Sequence, residues 1–311
     1  MKTIKNITSF YNKLSNFGKI LLFIALLLII IVFFKSIIPV KEGMSSGVNT
    51  EKFLFKQNEE VYDDFYAEIY DFLVFSNIKN NFETGIILNN TKPTSTSVIA
   101  DIGCGTGHHV SELSSKDLNI IGVDISPSMI KKAKENYPSL DFRVGDAIDS
   151  HLFNMNSLTH ILCLYFTIYY FKDKKRFFDN SMDWLMPGGY LIVHIVERES
   201  FDPILPPGNP LYIVSPQKYA KERITKTKVT FNDFVYTANF NLDGLNDIAD
   251  FDEKFKFNNG NVRKQQQKLY MEDTDTIVNM AQDSGFILQG KTDMMKCAYE
   301  SQFLYIFVKP S

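Results

Sequence analysis

The stretch "VIADIGCGTGHHV", residues 98–110, constrains the fold more than any other part of this 311-residue chain. An apolar run ends at Ile102, and Gly103, Gly105 and Gly107 follow at alternate positions before His108 opens a stretch of helical composition. A strand, a glycine turn and a helix in that order bring bare main chain to a helix N-terminus, where N–H groups and the helix dipole favour a carboxylate or phosphate. Two readings stand: a ligand approaches the backbone here, or the glycines serve only a tight turn.

The neighbouring sequence has a regular rhythm. Between residues 97 and 197 the short runs "SVIADI", "NIIGVDI", "LDFRVGD", "HILCLYF" and "YLIVHIV" alternate with helical stretches such as "SMIKKAKENY" and "KKRFFDNSMDWL". Such alternation predicts βαβ units, hence an α/β, doubly wound, mostly parallel sheet covered on both faces. From residue 201 the rhythm fails. "PILPPGNP" reads as a loop, and "KVTFNDFVYTANFNL", "FDEKFKF" and "VRKQQQKLYM" predict an antiparallel β insertion over 201–271, expected to cover a substrate. "EDTDTIVNMAQDSGF" then reads as a helix closed near Gly285, and "ILQGKTDM" with "SQFLYIFVKP" as two strands able to pair. Ahead of the sheet, Val61, Phe65, Ile69, Phe72 and Leu73 lie at helical spacing in a helix expected from Glu59, with Tyr62, Tyr66 and Tyr70 expected to pack rather than bind.

The N-terminal part follows different rules. Ile20 to Phe34 is fifteen apolar residues without a break, between Lys19 and Lys35. At about −0.3 to −0.6 kcal/mol per strongly apolar residue, the run favours membrane insertion. A helix of that length rises only about 22 Å against a hydrocarbon core of about 30 Å; extension to Val40, with Lys35 snorkelling, closes the gap. The expected organisation is therefore a short segment over 1–18, a transmembrane helix over 19–40, a polar tether over 41–58 and a globular domain over 59–311. A cleaved signal peptide is disfavoured, because no small-x-small site follows the run. Charged residues make up 22% and the net charge is −3, so no basic excess points to a nucleic-acid partner. Cys104, Cys163 and Cys297 are odd in number and widely spaced, which fits buried thiols rather than a disulfide framework or a metal site.

The spacing of the glycines separates the possible ligands. A dinucleotide fingerprint G-x-G-x-x-G requires glycine where the chain has His108. The order here is G-x-G-x-G, and with the preceding acid, "DIGCGTG" resembles the first motif of the class I S-adenosylmethionine-dependent methyltransferases. The resemblance covers about Glu59 to Pro310, and implies a seven-stranded sheet with a reversed last strand and S-adenosylmethionine as cofactor. It places Asp101 near the methionine part of that cofactor, with Gly103, Cys104, Gly105 and Gly107 beneath. Asp124 in "IIGVDIS", about twenty residues on, is positioned for its carboxylate to accept two hydrogen bonds from ribose hydroxyls. Asp146 in "FRVGDAID" resembles the acid that faces the adenine amino group. Ile125, Ala147 and Leu164 are assigned to the same cofactor wall.

For methyl transfer the enzyme's main task is to align a nucleophile with an activated methyl group, so no invariant triad is expected. Candidate acceptor-side residues are His194 in "LIVHIVE", as a general base or as a core histidine, and Tyr165, Tyr169 and Tyr170 in "LYFTIYYF", as pocket lining or as packing. His108 and His109 receive no chemistry beyond contact with a cofactor carboxylate, and no metal-ligand spacing stands out. The reading is a membrane-anchored methyltransferase acting on nitrogen or oxygen of a small-molecule or membrane-associated acceptor. Its rivals are an anchored, non-catalytic cofactor-binding module and, less favoured, an NAD-dependent oxidoreductase. The lysines before the span hint that the domain crosses the membrane, whereas the cofactor and unpaired cysteines suit the cytosol, the side adopted here. Sequons at Asn6 and Asn89 make the orientation testable, since a sugar on Asn89 would place the domain in the secretory lumen.

Overall fold

The computed structural model describes residues 15–37, 52–208 and 215–311, and divides into two units, residues 1–45 and 46–311. In the first unit Asn16–Ile37 forms helix α1, started by Ser15, whose Oγ accepts the Gly18 N–H at 3.1 Å. Its apolar side chains Phe17, Ile20, Leu21, Phe23 and Ile24 are 45–71% exposed. Among the residues whose side chains are described, which on α1 reach Leu27, no helix is long and apolar enough to cross a membrane. The span expected at 19–40 thus overlaps a helix that begins at Asn16, while residues 1–14, 38–51 and 209–214 lie outside the described residues.

In the second unit the parallel strands are β2 (Val98–Ile102), β3 (Asn119–Asp124), β4 (Asp141–Val144), β5 (Leu158–Cys163) and β6 (Leu185–Val196). Two further strands, β11 (Ile287–Asp293) and β12 (Gln302–Val308), complete a seven-stranded sheet in the order β11-β12-β6-β5-β2-β3-β4. Strand β12 is antiparallel to both β6 and β11, the reversed strand expected from "SQFLYIFVKP". Neighbouring residues on these strands serve opposite faces: Ile161 and Leu191 join one core, Leu162 and Ile192 the other. Burial on both faces explains why the strands read as continuous apolar runs rather than alternating ones.

Helices α3 (Asn77–Thr91), α4 (His108–Ser114) and α5 (Pro127–Asn136) cover one face through Ile87, Val110, Leu113 and Ile130. The other face is covered by α6 (Thr167–Tyr170), α7 (Lys174–Trp184) and α8 (Thr274–Asp283) through Ile168, Phe177, Trp184 and Ile277. Helix α3 was not expected, because "NIKNNFETGIILNNT" has no clean apolar stripe; Ser76 caps it by accepting the Lys79 N–H at 3.4 Å.

A second sheet has the order β1-β10-β9-β8-β7, from β1 (Phe53–Gln57), β7 (Lys226–Thr230), β8 (Phe234–Asp243), β9 (Ile248–Phe257) and β10 (Val262–Tyr270). The antiparallel part fits the expected insertion. Strand β1 corrects the tether: "FLFKQ" pairs in parallel with β10, Phe53 opposite Val262, because its main chain completes an otherwise open edge. The helix expected from Glu59 begins later, as α2 (Asp64–Val74), after a single 3₁₀ turn at Asn58–Val61. Asp63 sets that start: it caps α2 by accepting the Tyr66 N–H at 3.1 Å, and it also accepts from Arg263 of β10 at 2.8 Å. A third core forms where Val61, Tyr66 and Ile69 pack against Phe234, Tyr236 and Phe255 of the second sheet. All three cysteines are buried and unpaired.

Candidate functional site

The C-terminal ends of β2 and β3 open into a cavity of about 570 Å³ whose opposite wall comes from α2 and the second sheet. That volume lies within the range of about 300–1,000 Å³ usual for small-ligand sites. The three glycines do different work around it. Gly103 lines the cavity at φ +70°, and a Cβ there would lie 2.5 Å from Thr167 Oγ1. Gly105 sends its N–H to Asp124 Oδ2 at 2.9 Å. Gly107, at φ +92°, serves packing, since its Cβ would meet the Phe142 ring at 2.6 Å. Tight packing thus accounts for the missing side chains at Gly103 and Gly107, and Gly103 also borders the cavity. The turn is held to β3 by the Gly103 and Cys104 N–H groups, which donate to the Val123 carbonyl at 2.8 and 3.0 Å.

Asp124 ends β3 on the cavity wall. Its two oxygens accept from different main-chain donors, Oδ2 from Gly105 and Oδ1 from Ser126, each at 2.9 Å. Burial raises its pKa, and those two N–H groups oppose the rise. A carboxylate has about four acceptor sites, so this one is fixed in place with capacity left for two hydroxyl donors. Asp146 and Ala147 line the same wall, with Asp146 Oδ1 accepting the Ile148 N–H at 2.9 Å, and Ile125 lines it beside Asp124.

Asp101 lies behind the turn rather than on the cavity wall. It is 2% exposed, and its Oδ2 has no partner. Burial pushes its carboxyl up to about 6, with Glu83 and Asp124 adding to the rise and His109 and Lys79 opposing it. Glu83, buried in the same region, goes the other way: the Lys79 ammonium at 2.8 Å and His109 at 2.9 Å overcome the cost of burial and hold it at about 2. An unfolded chain releases the Asp101 proton near about pH 3.9, whereas the folded chain keeps it to about 6. Between those values the folded state binds the extra proton, so stability falls as pH rises through the window, by about 3 kcal/mol in total. Urea titrations of Asp101→Asn at the two ends of the window should lack this component of the fall; an unaltered slope would rule out Asp101 as its source.

Several expected residues are placed elsewhere. Cys104, Gly105, Gly107 and Leu164 support the turn and strand ends without lining the cavity. His194 is fully buried and absent from the wall, and its Nδ1–H donates to the Tyr165 carbonyl at 2.5 Å. Burial, together with the Lys79 charge, lowers its pKa to about 4. That corrects its candidacy as a general base: it holds Tyr165, which sits at φ +52°, in a conformation few non-glycine residues adopt. Tyr165 does line the cavity, whereas Tyr169 is fully buried and its hydroxyl accepts the Val196 N–H at 2.8 Å. His108 stacks on Phe75 with ring centroids 3.8 Å apart and contacts Asp71 at 2.9 Å, and His109 is held by Glu83, so neither reaches the cavity.

Tyr62, Tyr66 and Tyr70, expected to pack, line the cavity together with Tyr170 and Gln267. The helical spacing of the tyrosines showed that they share a face. It did not show that the second sheet stands far enough away to leave a gap.

Residues 100–193 match the methyltransferase domain family. Protein 235L of Invertebrate iridescent virus 6, named for methyltransferase activity, is 32% identical over 114 residues, 35% of this chain and 42% of that protein. The chain thus spans less than half the length of this curated relative. Among solved structures, an S-adenosylmethionine-dependent methyltransferase from Clostridium acetobutylicum aligns with a TM-score of 0.59 at 16% identity, covering 80% of this chain and 99% of that one. The S-adenosylmethionine-bound amino pentose methyltransferase of Micromonospora echinaspora aligns with a TM-score of 0.52 at 14% identity, covering 74% and 91%. The fold is the Rossmann-like fold of these methyltransferases. The residues present fit S-adenosylmethionine: the fixed Asp124 carboxylate on the cavity wall offers acceptor sites to a ribose diol, and Asp146 and Ala147 line the wall beside it.

Proposed function

We propose that the chain is a membrane-anchored S-adenosylmethionine-dependent methyltransferase that methylates nitrogen or oxygen of a small or lipid-associated acceptor, with its globular domain on the cytosolic side. The observation that carries the catalytic part is the Asp124 carboxylate, fixed by two main-chain N–H groups on the wall of a cavity of about 570 Å³. The anchor rests on the unbroken apolar run Ile20–Phe34 and on the exposed apolar side chains of α1.

When bound, the cofactor supplies an electrophilic methyl group on a sulfonium. Asp124 would hold the ribose and Asp146 the adenine, while Gly103, lacking a side chain, lets Thr167 pack directly against the turn at the cavity wall. Tyrosines of α2 and of the segment after β5 would confine the acceptor, so that alignment rather than proton transfer supplies most of the rate.

Calorimetric titration with S-adenosylmethionine and with NAD, followed by a labelled-methyl transfer assay, tests the reading. Binding of the first alone, with transfer, is the expected result. Binding without transfer would leave a non-catalytic module, and uptake of NAD instead would overturn the reading. For the anchor, the full chain should float with liposomes and a chain lacking residues 1–45 should not; glycosylation of the exposed Asn89 in cells would reverse the assigned side.

A further inference from the structure

The wall of the cavity facing the cofactor end carries an arrangement of oxygens that methyl transfer as such does not require. Tyr62 Oη, Tyr170 Oη and Gln267 Oε1 form a triangle with sides of 2.7, 2.8 and 2.5 Å, and all three residues line the cavity. The Gln267 amide cannot turn its nitrogen toward the hydroxyls without losing a bond, because Nε2 donates to Glu253 Oε2 at 3.0 Å. Two hydroxyl hydrogens therefore serve three oxygen–oxygen contacts, which leaves one pair of lone-pair groups facing each other. Burial keeps both phenols well above their usual pKa, so neither is a base at neutral pH.

Beneath the triangle lies a charge. Glu253 is 2% exposed and accepts hydrogen bonds from Tyr66, Tyr236, Gln265 and Gln267. No lysine, arginine or histidine among the described residues forms an ion pair with it; the nearby Arg263 is committed to Asp63 and to the Val61 carbonyl. Burial raises the Glu253 pKa while the hydrogen bonds from its neighbours oppose the rise. Tyr66 and Tyr70 flank the oxygens, with Tyr62 and Tyr70 rings 6.4 Å apart and Tyr62 and Tyr170 rings 6.0 Å apart. The cluster adjoins the cofactor wall: Ser126 Oγ donates to the Tyr62 carbonyl at 2.6 Å, and Tyr70 comes within 3.6 Å of where a Gly105 Cβ would stand.

We infer that this tyrosine-lined pocket binds a primary or secondary amine in its cationic form, an N–H of the ligand supplying the hydrogen that the Tyr62–Tyr170–Gln267 triangle lacks. The inference rests on the methyltransferase reading above and makes nitrogen the acceptor atom. An oxygen oriented toward a cation, aromatic faces and an unpaired buried carboxylate all favour positive charge. After the ammonium gives one proton to water, the amine lone pair forms the N–C bond as the C–S bond breaks. The bonding pair stays on sulfur and the positive charge passes to nitrogen. Charge thus arrives where the negative field of Glu253 is already oriented to receive it.

The test uses the full chain saturated with S-adenosylhomocysteine and titrated calorimetrically with matched pairs, benzylamine against benzyl alcohol and cyclohexylamine against cyclohexanol. The amine of each pair should bind about tenfold more tightly. Glu253→Gln, which keeps the shape and removes the charge, should abolish that preference while leaving affinity for S-adenosylhomocysteine unchanged, an effect a merely structural role would not produce. Should that variant fail to fold, Tyr170→Phe, which keeps the ring and removes one oxygen, should reduce the preference about threefold. Uptake of S-adenosylhomocysteine with equal affinity for both members of each pair, or with none for either, overturns the inference and leaves the cofactor assignment standing. No uptake of S-adenosylhomocysteine overturns the methyltransferase reading, and this inference with it.

Discussion

Asp124→Ala should weaken S-adenosylmethionine binding at least about a hundredfold, close to 3 kcal/mol. The carboxylate is held at the end of β3 by the Gly105 and Ser126 N–H groups, so its remaining lone pairs meet an incoming diol without reorganising. Hydrogen bonds to a charged group contribute about 1.5–3 kcal/mol each, and two are lost together. Alanine also leaves those two N–H groups without an acceptor, so the turn itself should loosen. Asp124→Asn retains one acceptor oxygen and should lose less. Calorimetry on both variants settles the point: affinity unchanged in Asp124→Ala would remove the ribose assignment.

The second large effect concerns Gly103. At φ +70° an alanine is strained by about 1–2 kcal/mol, and its Cβ would also stand 2.5 and 2.6 Å from Thr167 Oγ1 and Cγ2. Gly103→Ala should therefore destabilise the fold by about 2–4 kcal/mol and abolish cofactor binding. Because two of the three crowding atoms belong to the Thr167 side chain beyond Cβ, adding Thr167→Ala should recover about 1 kcal/mol or more, leaving the backbone strain in place. Denaturant unfolding of the two single variants and the double variant measures this coupling. Simple additivity would mean that crowding at Thr167 is not the cause.

What the sequence disclosed follows from how local each signal is. The glycine turn, Asp124 at a strand end and the reversed β12 are written in short contiguous stretches whose periodicity or spacing is fixed by one or two elements. The triangle of Tyr62, Tyr170 and Gln267 joins positions 108 and 205 residues apart, and Glu253 reaches Tyr66 across 187. No spacing rule encodes such meetings. They depend on the second sheet packing over α2, and "VRKQQQKLYM" shows only that Gln265 and Gln267 share one side of a strand. Both readings of His194, general base and core histidine, stay open in the sequence for a related reason: its place near the end of β6 is legible, but the direction of its imidazole, toward the Tyr165 carbonyl, is set by a segment about thirty residues earlier. The strand β1 was hidden inside a polar stretch because its partner in the sheet among the described residues, β10, lies 209 residues on.

Both sheets depend on pairings of this kind. Strand β1 meets β10 with Phe53 beside Val262, and β12 enters between β6 and β11 with Gln302 beside Val196. Bringing such distant segments together is entropically slow. A half-assembled molecule therefore displays bare strand edges along β6 and β10, ready to pair with those of another copy. Recovery from denaturant should accordingly decline as protein concentration rises, a kinetic vulnerability created by the order in which the chain visits its own sheets.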